Sequence, residues 1–390
     1  MTVDTSQEGT AALSGDAVAE RQAVEAAVKA AEAVLAHRFG SAIALVAPEV
    51  LAGSGPATVV RARIATSPFG LPRTLVIKHY PAPAPEHAPD PFAQEAVSYQ
   101  LFTALSAEER MCPELLAHDG GHRVIVLDDL GRAPTLQDKL RGSDARAAER
   151  SLLSWARSLG RLHATTAGRE ADFDALLRRL GGPVKDDRSD PAAACAQLPA
   201  MLAKSLRVST PEPVRRFADR ACEHASSLAY RAFSPADLSP DNNLVTSGGV
   251  RFLDFERGRV RNALIDAAHL RVPFASCAEP LALPAGMSEA MLAAWAAEVS
   301  GVWPGLGDND ALDAVLLDHQ LLLLWVESWR ALAAGRCEKP AALVTWWRQL
   351  DGYADRQGEQ AVAEHARAVA DAMDARFGPG LDLALYPAFR

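Results

Sequence analysis

Cysteine is scarce in this chain and badly spaced for cross-linking. There are five in 390 residues, at Cys112, Cys195, Cys222, Cys277 and Cys337, with no CxxC pair. The odd number and wide separation argue against a disulfide framework or a zinc site of ordinary spacing, and predict a reducing, cytoplasmic setting. Long apolar runs are also missing. The richest, Leu321 to Val326, falls far short of the ~20 residues that span a bilayer, so no membrane association is expected. The N-terminus, MTVDTSQEGTAALSGD, has no charged-then-apolar signal pattern, and residues 1–15 are predicted to form a disordered tail. There is no basic excess. The net charge is −9 without a basic run, which argues against nucleic acid as the main partner.

What is present divides by composition into two parts. After an Ala-rich stretch with helical spacing from Asp16 to His37, β-rich runs follow at Ile43–Leu51, Thr58–Ala65 and Arg73–His79. The turn Ala52-Gly53-Ser54-Gly55-Pro56 separates the first two. Its backbone N–H groups around Ser54 suit phosphate oxygens, although no GKS or GKT follows to make a Walker A motif. The third run ends in Lys78, and an apolar strand ending in lysine needs an anionic partner to offset burial. Glu95, on a helix predicted from Phe92 to Leu105, is the candidate. Two further strands, Pro113–His118 and Arg123–Leu127, lead into Asp128-Asp129-Leu130-Gly131, a polar connector ending in glycine. Helical patterns then dominate: Asp144–Thr166, Ala193–Arg207, Pro211–Tyr230, Met287–Val299, Asp310–Leu332, Ala341–Ala354 and Glu359–Arg376. His163 reads as a cap or core residue of its helix. A β-rich first part, residues 16–130, feeding a helical second part, residues 131–390, is α+β in class.

The stretch from Phe233 to Phe255, FSPADLSPDNNLVTSGGVRFLDF, breaks the helical pattern. Asp237 and Asn242 lie in a Pro- and Ser-rich loop, and Asp254 follows a short hairpin. Two carboxylates and a carboxamide so spaced suit magnesium on a nucleotide and a hydroxyl aimed at its terminal phosphate.

In this order the residues resemble the aminoglycoside phosphotransferase and choline kinase-like small-molecule kinases, which share a two-lobed protein-kinase-like fold. Asp237, Asn242 and Asp254 match that family's catalytic loop and metal-binding Asp in spacing. Lys78 and Glu95 match its strand lysine and helix glutamate. Leu159–Ala164 and Leu264–Ala268 resemble its Leu-His and Asp-Leu-Ala elements. The resemblance implies that Asp237 orients or deprotonates the acceptor hydroxyl and that Asn242 and Asp254 hold Mg²⁺. It further implies that Lys78, fixed by Glu95, contacts the α- and β-phosphates of ATP or GTP, with the base near Asp128 and Leu130. Asp266 would brace the catalytic loop. One departure stands out, because Pro235-Ala236 replaces the family's His-Gly before the catalytic Asp. That departure motivates an alternative, a catalytically impaired pseudokinase serving as a nucleotide-binding regulatory module.

The acceptor is expected to be a small molecule carrying a hydroxyl: an aminoglycoside or other antibiotic, a sugar or an amino alcohol. From Arg231 to Arg390 there are 14 Lys+Arg against 21 Asp+Glu, and Asp308, Asp310, Asp313, Asp318 and Glu327 lean the expectation toward a cationic acceptor. Trp325 and Trp329, one helical turn apart, are candidates to line its pocket, with at least one of them expected in the core.

Overall fold

The computed structural model describes residues 15–51, 53, 55–65, 71–81, 90–181 and 189–390. Ser54, the tail at residues 1–14 and the polar segment 182–188 lie outside the described residues. Contacts divide the chain into two units. One comprises Met1–Phe92 with Glu114–Leu130, and the other comprises Ala93–Pro113 with Gly131–Arg390.

The first unit is a sheet backed by a helix. Helix α1 (Gly15–Phe39) precedes strands β1 (Leu45–Val50), β2 (Thr58–Ile64) and β3 (Thr74–His79). After helix α2 (Pro91–Thr103), which belongs to the second unit from Ala93 onward, come β4 (Leu115–Asp119) and β5 (Val124–Asp128). The five strands pair antiparallel in the order β1-β2-β3-β5-β4. Alternation along the strands selects the buried face. Val60 and Ala62, Leu75 and Ile77, and Val124 and Val126 form one core with Ala27, Ala31 and Leu35 of α1. Lys78 falls on the opposite face from Leu75 and Ile77, opposite Val59 and Ile125 in register. Arg123 grips Asp90 with both terminal nitrogens at 2.9 and 2.8 Å and lies over the Phe92 ring.

The second unit is mostly helical. It holds α3 (Leu136–Arg141), α4 (Ala145–Thr166), α5 (Glu170–Arg179), α6 (Ser189–Leu206) and α7 (Glu212–Ala225). Four short strands follow: β6 (Arg231–Ser234), β7 (Asn243–Thr246), β8 (Gly249–Phe252) and β9 (Arg259–Asn262). Helices α8 (Ala263–Ala268), α9 (Met287–Val299), α10 (Asn309–Ala333), α11 (Pro340–Arg356) and α12 (Gln360–Phe377) complete it. Helix α4 starts where Asp144 accepts a hydrogen bond from the Ala147 amide at 3.0 Å, as an N-cap should. Helix α7 stops at Ala225, well short of the expected Tyr230. There the Ser226 hydroxyl turns back to the Cys222 carbonyl at 3.1 Å, and competition of this kind favours helix ends over interiors. The main core gathers Leu321, Trp325, Trp346, Trp347 and Val369 with the inner faces of α6 and α7.

A five-stranded antiparallel sheet ahead of a largely helical remainder is the α+β class that the sequence predicts. None of the described helices is long and apolar enough to cross a membrane. All five cysteines are free thiols.

Candidate phosphoryl-transfer site

The loop and hairpin of the second unit bring three of the sequence-predicted residues onto two adjoining backbone runs. Strand β6 ends at Ser234, and the chain crosses Pro235 and Ala236 to reach Asp237. Asp237 Oδ1 accepts the Ser239 amide at 3.0 Å, an Asx-type turn that fixes the carboxylate. A single 3₁₀ turn, Pro240–Asn242, then delivers Asn242 into β7. Hairpin β7–β8 returns the chain, and the Leu253 amide donates to the Asn242 carbonyl at 2.8 Å. Asp254 is the next residue, so Asn242 and Asp254 issue from neighbouring strand ends. Asn243 anchors the turn below them, its Nδ2 donating to the Ser239 carbonyl at 2.6 Å.

Two backbone outliers flank this arrangement. Ala236 has φ +62° and Asp254 φ +60°, both left-handed. A Cβ in that region costs about 1–2 kcal/mol, somewhat less for Asp, whose side chain bonds locally. Such conformations persist only where the surroundings enforce them, and they cluster at functional sites. A glycine at position 236 would relieve that strain, and this chain accepts it with alanine.

Helix α2 closes on the Asp254 segment from behind. Glu95, fully buried, accepts the Phe255 amide at 3.1 Å through Oε1. Tyr99, one turn further along, packs on Phe255 with ring centroids 5.0 Å apart. Phe102 completes an aromatic cluster with Phe233 and Phe255 at 5.0 and 5.6 Å. Burial raises the Tyr99 phenol well above its ordinary range, and Glu95, Cys112 and Asp254 add to that, against a hydrogen bond with the Asp254 backbone. Tyr99 therefore stays protonated beside the hairpin exit. Its i, i+4 spacing from Glu95 was the available signal in the sequence, and sequence reasoning passed over it.

Asp266 sits at the centre of a second buried cluster. Its side chain is wholly buried, with His163 Nε2 at 3.0 Å and Arg261 Nη2 at 2.5 Å. Burial pushes the carboxyl upward. The Arg261 guanidinium, foremost, and the hydrogen bond from His163 outweigh that, holding it well below the usual carboxylate range. Trp295 Nε1–H donates to His163 Nδ1 at 3.0 Å, so the ring's other nitrogen carries the hydrogen directed at Asp266. His163 is thus a core residue with two partners, one of the two roles its sequence position suggests. Nearby His269, 8% exposed, is pushed down to about 4 by burial and by Arg261, against the pull of Asp266, Glu327 and Asp237.

The remaining expected residues lie in the first unit. Lys78 is largely buried on β3. Asp128 ends β5, its amide donating to the Glu114 carbonyl at 2.9 Å while its Oδ1 accepts the Glu114 amide. Leu130 precedes Gly131, whose φ of +81° lets the chain turn away.

The acidic residues that leaned the expectation toward a cationic acceptor are mostly engaged within the protein. Asp308 caps α10 through the Ala311 amide, Asp313 pairs with Arg271, and Asp318 meets His224 at 2.6 Å. Glu327 pairs with Arg330 and Lys339 at 3.0 and 2.8 Å. Their charge is largely spent locally, and the lean toward a cationic acceptor loses its support. Trp325 is fully buried, its Nε1–H donating to the Ala194 carbonyl, and Trp329 reaches Gln197 at 3.1 Å, both packed against α6.

Asn242 and Asp254 offer hard oxygen donors from neighbouring strand ends. Among the described residues, no three His, Cys, Asp or Glu side chains converge to form an all-protein cage. Two protein oxygens completed by substrate phosphates is the usual mode for Mg²⁺, so the donors fit that ion.

No protein-family model matches the chain, and no curated protein matches it in sequence. Among solved structures it is similar to a choline/ethanolamine kinase family protein from Mesorhizobium loti, at 16% identity over 85% of this chain and 93% of that one, with a TM-score of 0.45. It is similar to choline kinase from Cryptosporidium parvum at 12% identity, covering 84% and 93%, with a TM-score of 0.46. An aminoglycoside-3′-phosphotransferase of type VIII gives 18% identity, 78% and 99% coverage and a TM-score of 0.41. At these identities and scores the likenesses say nothing about chemistry, and the case for the site rests on the residues of this chain.

Proposed function

We propose that the protein is a Mg²⁺-dependent phosphotransferase moving the γ-phosphate of ATP or GTP to a hydroxyl of a small molecule. The observation that carries this reading is the lock between Asn242 and Leu253, which holds a carboxamide and the Asp254 carboxylate on adjoining strand ends just beyond Asp237. Asn242 and Asp254 would hold the ion, which when bound neutralises charge on the phosphate oxygens. Asp237, oriented by the Ser239 amide, receives or directs the proton of the acceptor hydroxyl. Lys78, with Glu95 as its expected partner, would contact the α- and β-phosphates, and backbone groups at Asp128 and Leu130 would bind the base. Residues 16–130 act as the nucleotide lobe and residues 131–390 as the acceptor lobe. Phosphoryl transfer asks little covalent chemistry of the protein, so positioning and charge carry the rate. An aminoglycoside or other antibiotic, a sugar or an amino alcohol is the acceptor class. The free thiols suit a reducing, cytoplasmic setting, and the expected partners are the nucleotide and the small-molecule acceptor.

The test is nucleotide consumption by purified protein over an acceptor panel, with mass spectrometry for the gain of one phosphate. Asp237→Asn should lower turnover by about 10²-fold or more while Mg-nucleotide still binds, and Asp254→Ala should abolish the Mg²⁺ dependence of binding. If neither variant differs from the parent on any acceptor, the reading fails. The strained Ala236 keeps a second reading alive, an impaired pseudokinase acting as a nucleotide-binding regulatory module. That reading expects nucleotide binding with no phosphate transferred to any acceptor.

A further inference from the structure

Resting on the reading of Asp237 as the residue that meets the acceptor hydroxyl, we propose that Ser234 and Arg261 are its positioning residues, replacing the bracing that a His-Gly pair would give. The Ser234 hydroxyl, wholly buried, accepts two N–H groups: the Ala236 amide at 3.0 Å and Arg261 Nε at 2.9 Å. Arg261 uses its second prong, Nη2, on Asp266 Oδ1, and His163 and Trp295 extend the same chain of bonds into the helical core. Strands β6 and β9 carry the two residues in register, Ser234 opposite Arg259 and Ala232 opposite Arg261. The result is a fixed strut from α4, α8 and α9 to the amide of Ala236.

That amide is where the strut is needed. Ala236 holds φ +62° immediately before Asp237, and a residue with a Cβ leaves this conformation unless something external holds it. Among the described residues, the only hydrogen bond that the Ala236 amide makes is its donation to Ser234 Oγ. Release of Ala236 would swing the Asp237 carboxylate, whereas Asn242 and Asp254 are held independently by the hairpin and by Glu95. The expected signature is therefore a loss in turnover without a loss in nucleotide binding. Arginine is required at 261 because two prongs serve two partners, and a lysine would keep the charge but serve only one.

The experiment uses the full chain with Ser234→Ala, Arg261→Lys and the double variant. Hydrogen–deuterium exchange of peptides covering residues 233–242 comes first, and it needs no activity. Faster exchange in each variant, with peptides covering residues 243–255 unchanged, is the expected result. Unchanged exchange at 233–242 in folded Ser234→Ala overturns the proposal. Steady-state kinetics on the acceptor found by screening should show kcat down by about 10- to 100-fold, with the Kd for Mg-ATP within about twofold of the parent. The double variant should be no worse than the worse single one, because both cut the same link. Folded Ser234→Ala with parental kcat, or kcat and nucleotide affinity lost together, overturns it. If the parent transfers phosphate to nothing, the phosphotransfer reading fails, and the exchange arm still decides whether the strut exists.

Discussion

Replacing Asp266 by Asn tests the buried cluster behind the Asp237 loop most directly. The carboxylate is fully buried and takes hydrogens from Arg261 at 2.5 Å and His163 at 3.0 Å. The carboxamide of the variant would keep one acceptor oxygen and present an NH₂ group to the other donor. One charge-assisted bond disappears, worth about 1.5–3 kcal/mol, and a donor is set facing a donor. The Arg261 guanidinium, only 17% exposed, is then left without its counter-charge. Breaking one side of a buried pair costs about 3–5 kcal/mol, and the geometry places Asp266→Asn in that range. Urea unfolding at pH 7, followed by tryptophan fluorescence, measures it. All seven tryptophans, from Trp155 to Trp347, lie in the second unit, so the signal reports that unit alone. The pH dependence gives a second check. The folded carboxyl titrates well below the unfolded value of about 3.9, so its contribution is whole above about pH 4 and fades as pH falls toward the folded value. Parent and variant should therefore converge in acid. A loss under ~1 kcal/mol at pH 7, or a difference that does not narrow below about pH 4, would show that this is not a buried ion pair.

Two further outcomes follow from packing and burial. Gly160→Ala would place a Cβ 2.8 Å from both Glu298 Cβ and the Trp295 carbonyl, where α4 crosses α9; the gain in helix propensity of ~0.5–1 kcal/mol loses to an overpacking cost of ~1–3, and urea midpoints should fall. His269 and His365 are both pushed down to about 4, chiefly by burial, whereas an unfolded histidine titrates near 6.5. Their stabilisation is whole above about pH 6.5 and is lost as pH falls toward 4, at most about 3 kcal/mol each, so replacing both by Gln should flatten the stability profile across that window.

How much of this was legible in the sequence depended on distance along the chain. The sheet strands were found to within a residue or two because each is a short apolar run bounded by Gly, Pro or charged residues. The candidate site loop and its hairpin were legible because Asp237, Asn242 and Asp254 fall within one local motif whose spacing the hairpin fixes. The pairing of β6 with β9 was not. Each strand has four residues, they lie 24 apart, and β9 reads Arg-Val-Arg-Asn, which carries no strand pattern. The partners of His163 were equally hidden, at separations of 103 and 132 residues. The acidic residues of α10 misled for the same reason. Composition sees Asp318 as free charge, while the fold sets it against Arg220 and His224 nearly a hundred residues earlier.

The assignment of residues 93–113 to the second unit has a consequence for biosynthesis. The chain passes from one unit to the other at Phe92–Ala93, Pro113–Glu114 and Leu130–Gly131, so no single cut yields two intact pieces. Glu95, fully buried in the finished protein, binds an amide 160 residues further on. At ribosomal rates of ~5–20 residues per second, that amide arrives about 8–30 seconds after Glu95 does. Throughout that interval α2 carries a carboxylate and the aromatic face of Tyr99 and Phe102 with their eventual neighbours still unmade. A chain ending at residue 130 would hold that state permanently, a helix built for a core it does not encode and a ready target for chaperones and proteases.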